Sequence, residues 1–235
     1  FFSISFFFGQ MNPEKWKEDI NFLRENLSKK HYNLFFKREK PQFDKDLDNL
    51  ISKTKTISDL EIALKLQQII AKQGDTHTNI SWGKYLSNDK ILPLRFFYFE
   101  DGIYVTLTNQ KNKELLGKKI IKINGFDIKK VTDSISSLFV NENKAIYKSK
   151  SLTGLHSTQL LRFFGFAKND SIKITFQNSN LLTEKTLLPE EIKDDDKIKI
   201  NPQNITFIRE NKKKIFEKKY FEKEKILYVQ IGRAH

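Results

Sequence analysis

At 235 residues, with 38% hydrophobic and 13% aromatic side chains, the chain is long enough to bury one large core or two small ones. The absence of cysteine excludes a disulfide framework and a thiolate metal centre, and four scattered histidines (31, 77, 156 and 235) make no zinc cluster, so no metal and no cofactor is expected. The net charge of +13 would suit a polyanion, but dispersed lysines carry nearly all of it; the arginines are only Arg24, Arg38, Arg95, Arg162, Arg209 and Arg233, so nucleic acid is not expected as a partner.

The opening FFSISFFFGQ is apolar but far too short to span a bilayer. Residues 1–10 read as the back half of a signal-peptide core with a cleavage point at Gly9, which makes the protein an exported one, periplasmic or extracellular. The alternation of Ser3 and Ser5 with apolar residues is the competing pattern, that of a buried strand.

Residues 11–88 carry three helical signatures. Asn12 and Pro13 provide a cap and a proline at the first helical position, and Trp16, Ile20, Leu23 and Leu27 follow at helical spacing. A second helix begins near Pro41, with Phe43, Leu47, Leu50 and Ile51 on one face. In the third, Ser58 and Glu61 make a capping box, Ile57 and Ile62 a hydrophobic staple, and Leu60, Leu64, Leu66, Ile69 and Ile70 the buried side; Gly74 stops it.

From residue 91 the period changes. ILPLRFFYFE and GIYVTLT predict two strands around a turn at Asp101 and Gly102, and KKIIKINGFDI a strand before an Asn124–Gly125 turn. A helix over 129–139, one or two more between 143 and 164, and the strand SIKITFQ complete a module over 91–180. Residues 181–224, rich in Asn, Lys and Asp, are expected to be a linker, and 225–235 to open a further domain on the strand ILYVQ. That strand runs straight into IGRAH, which one frame of a common sequencing adapter would encode, so the reading frame is expected to be interrupted there.

The stretch ISDLEIALKLQQIIAKQGDTHT, a strand pair and then ELLGKKIIKINGFDIKKV together resemble the front portion of the tail-specific, or C-terminal-processing, serine peptidases, which include the tricorn-type proteases. The matching positions are Gly74, Asp75, His77 and Thr78 in a turn that ends a helix, and then Leu115, Gly117, Ile120, Ile123, Asn124 and Gly125 in a PDZ-like module. The resemblance covers most of residues 12–178. It implies an α+β chain: an N-terminal helical segment, a PDZ-like β-rich module, and the first strand of an α/β catalytic core that is otherwise absent. The nucleophilic serine would lie beyond residue 235, so these residues alone are expected to be inactive.

In tricorn-like members a histidine before the module takes the serine proton, and His77 matches that position; in other members a lysine does so. Imidazole titrates near neutral pH, which suits a general base. The competing reading is structural: Asp75, Thr76 and Thr78 shape a turn through side-chain to backbone hydrogen bonds, with His77 at its edge. A PDZ-like module implies a peptide or protein substrate taken by strand addition, C-terminal segments among them, yet no Gly-Leu-Gly-Phe-type carboxylate loop is present.

Three further features fit plainer roles. His156 and Ser157 are adjacent in sequence and suit a surface or capping role; Asp194, Asp195 and Asp196 lack the glycine and alternation of a calcium loop; NKKKIFEKKYFEKEK is expected to pack its aromatic side. The function these patterns imply is that of an exported serine endopeptidase working through an acyl-enzyme, with a non-enzymatic peptide-binding scaffold as the alternative. A third reading, binding to anionic polymers, requires steep salt dependence.

Overall fold

The computed structural model describes residues 12–200 and 216–231. The leader expected over 1–10 and the last four residues of IGRAH lie outside them. Two compact units divide the chain, one through Lys199 and one from Ile200 onward.

The first unit begins with three helices whose starts are set by local chemistry. Helix α1 (Pro13–Lys30) is capped by Asn12, whose side chain accepts the Glu14 N–H at 2.9 Å. Helix α2 (Lys40–Ile51) buries Phe43, Leu47 and Leu50. Helix α3 (Asp59–Ala71) opens on the full capping box, with Glu61 N–H donating to Ser58 Oγ at 3.3 Å and Ser58 N–H to Glu61 Oε2 at 2.9 Å. Trp16 is buried and donates its indole N–H to Asp59 Oδ1 at 2.6 Å, which ties α1 to the first turn of α3.

An open antiparallel sheet comes next: β1 (Leu94–Tyr98), β2 (Ile103–Asn109), β3 (Lys119–Ile123), β4 (Phe126–Asp127), β5 (Ile172–Asn178), β6 (Leu181–Leu187) and β7 (Lys197–Lys199). The order is β1-β2-β3-β5-β6, with β4 paired to β3 and β7 to β2. The Asn124–Gly125 turn has both residues at positive φ, 48° and 82°, the geometry that favours this dipeptide in a tight hairpin. Asn124 also donates its side-chain N–H to Phe166 O at 2.8 Å and accepts the Lys173 N–H at 2.8 Å, so one residue joins the turn to β5.

Helices α4 (Ile128–Ser136), α5 (Lys144–Lys150) and α6 (Thr158–Phe163) connect β4 to β5. Val131 and Ile135 of α4 join Val105, Ile120, Ile174 and Phe176 in the buried core on one face of the sheet. This α+β arrangement, a helical region followed by an open antiparallel sheet, is consistent with a PDZ-like module.

The structure departs from the sequence reading in two places beyond β5. Residues 181–187, expected to be linker, pair with β5 over seven residues from Asn178↔Leu181 to Ile172↔Leu187. An edge strand is held by main-chain bonds to one neighbour and needs no apolar alternation, and Leu181 and Leu182 are exposed accordingly. Residues 197–199 likewise return to pair with β2 at Leu107–Asn109. The N-terminal helical region and the helical connection between β4 and β5 also share a buried cluster, Leu64, Leu138 and Leu160, with Trp82 edge-on to Phe139 at 6.4 Å.

The second unit is an antiparallel hairpin, β8 (Phe216–Phe221) and β9 (Ile226–Ile231). ILYVQ is therefore the returning strand of a local hairpin. Phe216 and Tyr220 are exposed, against the expectation that this aromatic side is packed.

Candidate functional site

The GDTHT turn is organised by Asp75. Gly74 ends the third helix at φ +91°, a backbone conformation that calls for glycine. Asp75 Oδ1 accepts the His77 N–H at 3.0 Å, while Oδ2 accepts from the Thr78 hydroxyl at 2.5 Å and faces His31 Nε2 at 3.0 Å. The His31 Nδ1 accepts the Asn33 N–H at 3.1 Å, which leaves the neutral ring's proton on Nε2, towards Asp75. The Thr78 hydroxyl above all, then His31 and the His77 N–H, hold the Asp75 carboxyl well below the usual carboxylate range.

The side-chain to backbone bond anticipated for this turn is made by Asp75; the Thr78 hydroxyl bonds to the Asp75 carboxylate instead of to backbone. Thr76 takes part through its carbonyl, which accepts from Asn79, and His31, 44 residues away in sequence from Asp75, is a partner that sequence spacing did not reveal. The turn leaves the His77 ring exposed, and among the described residues nothing hydrogen-bonds to that ring. Among those residues, too, no serine hydroxyl is bonded to a histidine ring. The turn can present an imidazole; it holds no nucleophile.

A second arrangement lies on the sheet edge. Strand β1 pairs only with β2, so its other side is open among the described residues. The bonding parity shows which groups face outward. Val105 uses its N–H on Lys118 O (3.0 Å) and its C=O on Gly117 N–H (2.9 Å), so its partner Phe96 makes no ladder bonds. Phe99 N–H donates to Gly102 O at 2.8 Å, which by alternation also leaves Tyr98 unbonded to its partner Ile103. The N–H and C=O of Phe96 and Tyr98 therefore point to the open edge.

Facing that edge is α5 and the turn after it, with Ala145, Lys148, Ser149, Leu152 and Thr153 along one wall and Phe96, Phe97 and Tyr98 along the other, around a hollow of about 480 Å³. The small side chains at 145, 149 and 153 recur every four residues and keep the wall open. Tyr98 packs edge-on to Tyr147 at 6.3 Å, and Lys148 Nζ stands 5.2 Å from the Tyr98 ring centroid. Sequence reading did not single out Phe96, Tyr98 or Lys148. The only available signal was the small-residue spacing in KAIYKSKSLT, which means nothing until a strand edge is set opposite.

The remaining features take structural roles. Ser157 is the N-cap of α6, its hydroxyl accepting the Leu160 N–H at 3.4 Å, and the His156 ring is pushed down to about 4 by burial, with the Arg95 charge adding to it. Asp194–Asp196 form an exposed short turn in which Asp196 accepts the Gln110 N–H at 3.1 Å. Among the described residues no group of acidic, histidine or cysteine side chains could hold a metal ion, and no helix is long and apolar enough to cross a membrane.

No family model matches the chain, and no curated protein matches it. Among solved structures it is weakly similar to the crystal structure of a CPAF mutant, with 15% sequence identity and a TM-score of 0.47 over 74% of this chain. The chain spans about a third, 34%, of the length of that protein.

Proposed function

We propose that the chain is the peptide-recognising front part of a serine endopeptidase of the tail-specific class, and that it takes substrate by strand addition to β1. The observation that carries this reading is the edge of β1 that no described residue pairs with, with two outward-facing residues, set against a hollow under α5. An extended chain laid there gains main-chain bonds from the edge and seats alternate side chains in the hollow. The order of motifs from the helix-ending turn to the PDZ-like module supports the peptidase class.

The test is amide exchange in the presence of an extended peptide. Phe96 and Tyr98 exchange freely without it, and at a peptide concentration about a hundredfold above Kd they slow by about a hundredfold, whereas Phe97, already bonded across to Tyr104, changes little. Protection that appears elsewhere and spares both residues would remove the strand-addition reading.

In the complete enzyme a serine outside these residues attacks the scissile carbonyl, and His77 takes the hydroxyl proton. His77→Ala is then expected to lower kcat by about 10²–10⁴-fold. Turnover that survives the change would transfer the base role to another group. A scaffold that binds peptides without cutting them would use the same groove, and the observation on that side is a His77 ring to which, among the described residues, no serine or other group is hydrogen-bonded.

A further inference from the structure

We infer that the β1–α5 groove reads an internal, acidic stretch of its partner and does not capture a free C-terminus; the inference rests on the strand-addition reading above. Capture of a terminal carboxylate needs several free backbone N–H groups converging at one end of the groove. Here most of the N–H groups that lead into β1 are already used. Ahead of β1, Lys90 N–H donates to Ser87 O (3.2 Å), Leu92 N–H to His156 O (2.8 Å) and Leu94 N–H to Leu92 O (2.7 Å), and Pro93 has none. Ile91 turns its carbonyl to the Glu190 N–H at 3.0 Å, away from the groove. After β1, Phe99 N–H is bonded to Gly102.

The nearest guanidinium gives no substitute. Arg95 donates to Leu94 O at 2.8 Å, and the hollow it lines holds Asp89, Glu190 and Glu191 beside Lys197, a cation already engaged by Asp194, so a carboxylate entering it meets more negative than free positive charge. A peptide end brought to the start of β1 would lose its hydration with nothing to replace it. The bridge between Ile91 and Ser157 closes that end, so a bound chain leaves the groove there and continues as an internal segment.

One charge lines the groove, the ammonium of Lys148. Among the described residues it has no carboxylate partner; it rests over Tyr98. Asp133, on the neighbouring helix, is already engaged by Lys129 and by the Tyr147 hydroxyl, both at 2.6 Å. An Asp or Glu side chain on the bound segment is the complement this unpaired cation lacks, and Lys144 and Lys150 on the same short helix add to the attraction.

The experiment measures fluorescence anisotropy of the whole chain with N-acetylated nonapeptides of Val, Thr and Ser bearing one central Glu or Gln, each made as the C-terminal amide and as the free acid. The Glu peptide is expected to bind as the amide within about twofold of its free acid, and the Gln peptide about five- to tenfold more weakly. Lys148→Glu should abolish that preference and transfer it to a peptide with a central Lys. A free acid that binds at least tenfold better than its amide, with no difference between Glu and Gln, overturns the inference and leaves strand addition standing. Peptides that leave Phe96 and Tyr98 exchange unchanged overturn both.

Discussion

Phe176→Ala should lower the free energy of unfolding by about 3–5 kcal/mol, read as a fall in the urea midpoint at unchanged slope. Phe176 is fully buried on the inner strand β5, opposite Ile120 of β3 and Thr183 of β6, in the core that also holds Val131 and Ile135 of α4. Removing its ring opens a cavity between sheet and helix that neither layer can close without breaking register. Lys173→Ala, on the same strand with its side chain exposed, serves as the control and should stay within about 0.5 kcal/mol. A Phe176→Ala cost near that of the control would mean that the sheet does not pack as described.

Gln67→Met should cost about 2–4 kcal/mol although the substitution keeps the volume and adds apolar surface. Gln67 sits in the middle of α3 and is 1% exposed. Its Nε2 donates to Leu138 O at 2.7 Å and its Oε1 accepts the Ile80 N–H at 2.7 Å, so one side chain ties α3 both to the turn after α4 and to the segment leaving the GDTHT turn. Methionine leaves a buried carbonyl and a partly buried N–H without partners. Gln67→Glu separates the two bonds, since it keeps the acceptor for Ile80 and turns a carboxylate oxygen on Leu138 O. Amide exchange at Ile80 should rise in the Met variant and stay slow in the Glu variant. A neutral Met substitution would remove Gln67 as the tie between the two regions.

The helices were legible because their signals are local. Asn12 with Pro13, and Ser58 with Glu61, satisfy the first N–H groups of a helix with atoms two or three residues away, and Asn124–Gly125 adopts its positive φ values from its own sterics. The part of the GDTHT turn drawn by Asp75 and Thr78 was legible for the same reason. Strands β6 and β7 were not, since an edge strand is defined by the neighbour it bonds to, and LLTEKTL carries no alternation of its own.

Gln67 shows the same limit in a helix: its polarity reads as a solvent position until Leu138 and Ile80 are placed around it.

The amino-acid sequence alone determined where helices start and stop, where the chain reverses, and that an imidazole stands on a tight turn, because each depends on atoms within a few residues of one another. Only the tertiary structure decided which strand edge stays open among the described residues, that the N–H groups of Leu92, Leu94 and Phe99 beside it are already bonded, and that the lysine facing it has no carboxylate partner among those residues. Those are properties of segments fifty or more residues apart, Leu92 against His156 and Tyr98 against Lys148, and no local pattern encodes them.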